Sequence, residues 1–195
     1  RTARAFDLTK EPESVQQRYG KTHWGRSLLL SRRLVEHGVT FVLVSGAWGY
    51  FDHHGDDARW GGISKGLTPL CPRIDRVMAT LVTDLETRGL LDDPFVMMMG
   101  EFGRTPKINK NAGRDHWPRV SCALMACGGI RAGQVIGATN RLGEYATDRP
   151  VTFQEVAATL YDNIGLDLRT VREFDFRGRP QYPVDVGVEP LAELV

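Results

Sequence analysis

Apolar residues return at helical spacing in three stretches of the chain. Between 22 and 37, Trp24, Leu28, Leu29, Leu34 and Val35 recur every few positions, and Gly38 supplies a stop. Leu70, Ile74, Val77, Met78, Leu81, Val82 and Leu85 repeat at three and four, which predicts a long amphipathic helix ending near Gly89. Thr152 and Glu155 have capping-box spacing and open a third helix through Val156, Leu160 and Ile164. Two short runs have another character. Residues 39–44 (Val-Thr-Phe-Val-Leu-Val) and 95–99 (Phe-Val-Met-Met-Met) are continuously apolar or β-branched, which suits strands buried on both faces, with Met97, Met98 and Met99 as core packing. Residues 120–126 read as a third strand and 134–137 as a short fourth. The order helix, strand, helix, strand, strand, helix predicts an α/β fold: a layered, mostly parallel sheet flanked by helices. A polar lead-in (1–21) precedes these elements, and a Pro- and Asp-bearing surface tail (172–195) follows them.

The pattern breaks after each of the first two predicted strands, in loops rich in Gly, Asp, His and Arg. Sites in open α/β sheets form where loops leave the carboxyl ends of strands. The first loop carries Phe51-Asp52-His53-His54-Gly55-Asp56-Asp57, the densest group of metal-capable side chains in the chain. Imidazole nitrogen with carboxylate oxygen favours zinc, manganese or iron over calcium; the alternative is a polar loop with capping aspartates. The second loop begins Gly100-Glu101-Phe102-Gly103-Arg104-Thr105-Pro106. Glu101 follows a stiff strand and suits a metal ligand or general base, while Arg104 can offer its planar fork to an oxyanion. An ion pair of Glu101 with Arg104 bracing a turn is the plainer alternative. The loop closes with Gly113-Arg114-Asp115-His116-Trp117-Pro118. Adjacent Asp115 and His116 point in different directions, so one can ligate while the other orients a neighbour, and Arg114 is a second candidate anion clamp. Lys107, Asn109 and Lys110 read as solvated loop residues or as steering an anionic substrate. His23 and His37 read as structural.

Composition narrows the classes. The 195 residues are 42% hydrophobic and 25% charged, which excludes disorder, collagen-like repeats and coiled coil and suits a single domain. Twenty-five basic against 24 acidic residues give a net charge of +1, so no nucleic-acid surface is indicated. No apolar run is long enough for a transmembrane helix. Cys71, Cys122 and Cys127 lack metal or disulfide spacing and are expected to be buried small apolar residues. There is no GxSxG elbow, P-loop or GxGxxG fingerprint. The chain opens Arg1-Thr2-Ala3-Arg4, with neither Met nor a signal-like stretch.

Tyr19-Gly20, residues 47–55, the Gly-Glu-Phe-Gly-Arg-Thr-Pro and Gly-Arg-Asp-His-Trp-Pro motifs, and residues 133–139 together resemble one bacterial family. That family is domain of unknown function 1501, a sulfatase-like branch of the alkaline phosphatase superfamily, and the likeness spans about residues 6–167. It implies an alkaline-phosphatase-like fold, of which this chain would be the C-terminal portion, in an exported or periplasmic protein. By the same likeness Asp52, His54 and His116 would serve one divalent metal and Glu101 would take an aspartate's place at a second; Asp115, adjacent to His116, is counted with them as a candidate metal residue. Zinc or manganese is the expected ion, with calcium or magnesium as alternatives. Family members usually carry Trp-Asp-Thr-His-Gly where this chain has Phe51 to Gly55, so His53 is a local variation. An Asp-His dipeptide usual in the superfamily reads Glu101-Phe102 here. The resemblance implies hydrolysis of a small anionic phosphate or sulfate ester, with Arg104 and Arg114 as catalytic cations. The alternative is a non-catalytic exported binding protein that keeps the fold. No nucleophile is identifiable. If strands central to the sheet lie upstream, the exposed edge predicts a homo-oligomer.

Overall fold

The computed structural model describes residues 2–46 and 51–195; the 47–50 part of the family-like motif lies outside them. The chain is mixed α/β. Its helices among the described residues are α1 (Glu13–Tyr19), α2 (His23–Glu36), α3 (Thr68–Thr87) and α4 (Phe153–Asn163). The strands are β1 (Phe95–Met99), β2 (Gly103–Arg104), β3 (His116–Trp117), β4 (Ala123–Cys127), β5 (Ala138–Thr139), β6 (Ala146–Asp148), β7 (Glu173–Phe174) and β8 (Pro180–Gln181). They form four two-stranded ribbons, β1 with β4, β2 with β3, β5 with β6 and β7 with β8.

Helices α2, α3 and α4 follow the spacing in the sequence, and α1 forms within the polar lead-in. Thr22 caps α2 by accepting the Gly25 N–H at 3.1 Å, and Gly38 leaves the helix at φ +86. Thr152 and Glu155 close the expected capping box on α4. The sheet differs from expectation. β1 and β4 pair antiparallel, Phe95 opposite Cys127 and Met99 opposite Ala123, so the mostly parallel sheet is absent from the described residues. Residues 39–44 form no strand, and Phe41 and Leu43 stand 61% and 79% exposed. An extended run becomes a strand only when a partner satisfies its N–H and C=O groups, and none of the described residues supplies one. Residues 134–137 are likewise irregular, and the strand begins at Ala138. Met98 and Met99 are exposed rather than core, one on each face at the end of the strand. Cys71 and Cys122 are exposed and Cys127 is half-buried, against the expected burial.

The chain divides into two compact units. The first comprises Arg1–Leu91 and Arg104–His116. Its core is Ala5, Val15, Tyr19, Leu29, Ile74, Val77, Leu81 and Leu85, the last four being the α3 stripe. Charged residues are buried alongside. Arg32 reaches Glu11, Glu36 and Asp84, Arg33 reaches Glu11, and Asp84 also accepts from the Tyr19 hydroxyl and Arg88. Buried charges persist only when paired in this way. The second unit comprises Asp92–Gly103 and Trp117–Val195. α4 packs there through Val156, Ala158 and Thr159, and the tail supplies buried Val184, Leu191 and Leu194, so it is not purely a surface wrap. Thr159 binds the tail directly, its Oγ1 accepting the Leu191 N–H at 2.9 Å.

Candidate metal centre

Two loops of the first unit, 51–67 and 104–116, are joined backbone to backbone. The Asp56 N–H donates to Asn111 O, Ile63 N–H to Ala112 O and Arg114 N–H to His53 O, at 2.8 to 3.0 Å. This approach requires glycine at 113, where a Cβ would sit 2.0 Å from the His54 carbonyl oxygen. Asp56 braces the first loop internally, its Oδ1 accepting the N–H groups of Gly62 and Lys65. His53 is buried; its Nδ1 lies 2.9 Å from the Trp60 carbonyl, so it points away from solvent while its neighbours Asp52 and His54 stay half-exposed.

Asp52, His54 and His116 converge. Asp52 Oδ1 lies 2.9 Å from His54 Nε2 and 2.9 Å from His116 Nε2, and the two imidazole nitrogens are 3.1 Å apart. The far side of His54 fixes its tautomer. Nδ1 lies 2.7 Å from Asp115 Oδ1, so Nδ1 carries the proton and the Nε2 lone pair faces Asp52 and His116. With that tautomer Asp52 Oδ1 and His54 Nε2 face each other at 2.9 Å, a contact that either a second proton on the imidazole or a cation between them satisfies. Donor atoms held about 2.0–2.1 Å from a tetrahedral ion lie roughly 3.3 Å apart, close to the spacing found here. The donor set therefore fits a divalent ion.

Arg104 completes the charge balance. Its Nη2 donates to Asp52 Oδ1 at 2.9 Å and to the Phe51 carbonyl at 2.6 Å. When no ion is bound, a hydrogen bond from a protonated His116 Nε2 and then one from Arg104 hold the Asp52 carboxyl well below the usual carboxylate range. His54 and then Asn109 do the same for Asp115, more mildly. Both carboxylates are thus ionised at neutral pH, as a metal centre and its orienting shell need.

The family model described as Protein of unknown function (DUF1501) matches residues 1–195. The chain belongs to the DUF1501 family. No curated protein and no solved structure matches it.

In this DUF1501 chain the residues singled out from sequence take different places. Asp52, His54 and His116 are brought together as a group that could hold a metal ion. Asp115 stands behind His54 as its hydrogen-bond partner, outside the three-atom group. Arg104 lies on Asp52, so the carboxylate it pairs with is not Glu101. Arg114 braces its own loop, its Nη1 donating to the carbonyls of Thr105 and Pro106 at 2.5 Å each. Glu101 follows β1 in the second unit and is exposed. Asn109 is the residue that sequence reading undervalued. Its side chain donates to the His54 carbonyl and touches Asp115, a role that spacing alone could not disclose. Among the described residues no helix is long and apolar enough to cross a membrane.

Proposed function

We propose that this protein is a metal-dependent hydrolase of phosphate or sulfate esters, exported, and built on an alkaline-phosphatase-like fold. The observation that carries the reading is the convergence of Asp52 Oδ1, His54 Nε2 and His116 Nε2 within 4.8 Å, beside the Arg104 guanidinium. Two imidazoles and one carboxylate favour zinc or manganese over calcium or magnesium. A divalent ion held there supplies Lewis acidity to an ester oxygen and lowers the pKa of bound water. Asp52, His54 and His116 would hold it, and Asp115 would keep the His54 lone pair aimed inward. Arg104 adds fixed positive charge, which favours an anionic ester over a neutral one. Glu101 is the candidate ligand of a second ion, and Arg114 a further cation beside the substrate.

A second reading is a binding protein that keeps the centre without turnover. The commitment of Arg104 to Asp52 and Phe51, and of Arg114 to the Thr105 and Pro106 carbonyls, favours it. Elemental analysis of purified protein, followed by assay of metal-replete protein with generic aryl phosphate and aryl sulfate esters, separates the two. Hydrolase function predicts stoichiometric metal and ester turnover that is lost in Asp52→Ala. Retention of metal and of an anionic ligand without release of either product supports the binding protein instead.

A further inference from the structure

We propose that Asn109 is a positioning residue for the Asp52–His54–His116 centre, acting on His54 from two directions at once. The proposal rests on the metal reading of that centre. The amide's orientation is forced by its neighbours. Its Oδ1 faces two backbone donors, the N–H groups of Asn111 and Gly113, each at 3.0 Å. Its Nδ2 faces two acceptors, the His54 carbonyl at 2.7 Å and, more weakly, Asp115 Oδ2 at 3.4 Å. Reversing the amide would set oxygen against two oxygens on one side and nitrogen against two N–H groups on the other.

The two halves of this side chain do separate jobs. The oxygen closes the 109–113 turn, together with the Asn109 N–H to Gly113 O bond at 2.9 Å. The NH2 group reaches out of the turn. One of its hydrogens holds the backbone of His54, and the other approaches the carboxylate that in turn accepts the His54 Nδ1–H at 2.7 Å. Main chain and imidazole of the same ligand are therefore indexed to one amide. A shift of the second loop by a fraction of an ångström would otherwise turn the ring, because Asp115 and its partner belong to different loops.

The difference between the halves supplies the test. Asn109→Asp is nearly isosteric and keeps the acceptor that holds the turn, but loses the NH2 donor. Asn109→Ser keeps a short acceptor without adding charge and cannot reach His54. Each variant and the wild-type chain would be titrated with Co2+ and followed by the ligand-field spectrum, with Asp52→Ala as control. Metal-free protein would be examined by the imidazole 15N shifts of His54.

The expected result is a Co2+ affinity lowered about tenfold in both variants, with an altered ligand-field spectrum. In Asn109→Asp this loss would run against the added negative charge, which by itself attracts the cation. The His54 Nδ1–H tautomer would lose population in both variants, while the fold measured by circular dichroism stays intact. Affinity within about twofold of wild type, with unchanged spectra and 15N shifts, would overturn the proposal. Equal Co2+ uptake by wild type and Asp52→Ala would instead remove the metal reading. The His54 tautomer in metal-free protein would then still decide the role of Asn109.

Discussion

At the level of single residues, side-chain type was readable in advance and direction was not. Asp52, His54 and His116 stand out in the sequence because histidine and aspartate gather in two loops. Their convergence on one point follows from backbone bonds between those loops, which residue spacing does not encode. For the same reason Asp115 and Arg114 looked like site residues of equal rank with their neighbours. The structure gives Asp115 to His54 and Arg114 to two carbonyls. Gly113 shows how narrow the margin is. In Gly113→Ala the new methyl would meet the His54 carbonyl oxygen at 2.0 Å, so the loops must part. Overpacking of this kind costs about 1–3 kcal/mol. We expect a lowered urea midpoint together with loss of metal affinity in this variant; loss of stability alone would show that the loops part without disturbing the ligands.

Secondary-structure elements divided cleanly by type. Helices α2, α3 and α4 are legible from local evidence: apolar stripes at helical spacing, the capping box of α4, and glycine stops after α2 and α3. Helix α3 buries Ile74, Val77, Leu81 and Leu85 as the stripe predicts, and the α4 capping box is the one written in Thr152 and Glu155. Strands need a partner elsewhere in the chain, and an apolar run cannot say which partner or which direction, so a parallel sheet was expected where antiparallel ribbons stand. The ion network around Asp84 was also invisible, since it joins α1, α2 and α3. Asp84 is 1% exposed and binds Tyr19, Arg32 and Arg88. Asp84→Ala leaves Arg32 partly uncompensated in a buried place and is expected to cost about 3 kcal/mol in denaturant unfolding. Glu11 makes the same network sensitive to acid. Burial alone would raise its carboxyl, but hydrogen bonds and charge from Arg32 and then Arg33 outweigh burial and hold it below 4.5. Its stabilising contribution is therefore complete above the unfolded value and is lost as pH falls through the lower folded value. Unfolding free energy measured from neutral to acid pH should decline for this group as pH falls through the usual glutamate value toward the lower folded one, and Glu11→Gln should flatten that limb.

For the whole molecule, the run at 39–44 links what the sequence promised to what the chain does in solution. Six consecutive residues suited to a strand buried on both faces instead expose Phe41 and Leu43, without a strand partner among the described residues. In the second unit the β1–β4 ribbon exposes Met98, Met99 and Leu124. Alternating exposure along 41–44 leaves Phe41 and Leu43 on one side with a set of backbone donors and acceptors, the combination that templates pairing with another chain. Both contributions favour association: apolar area leaves water, and an extended backbone exchanges bonds with water for bonds with a partner. The chain is therefore expected to migrate in size-exclusion chromatography with light scattering as a species larger than one chain, and more so at higher concentration. Replacing Phe41 and Leu43 together with Lys removes the apolar row and adds like charge at the edge, so this double variant should shift toward the monomer. Metal affinity at Asp52, His54 and His116 should be retained, because neither side chain is among the ligands. A wild-type chain that stays monomeric at the highest attainable concentration would mean that the exposed run is shielded in solution, and would remove self-association as the consequence of its exposure.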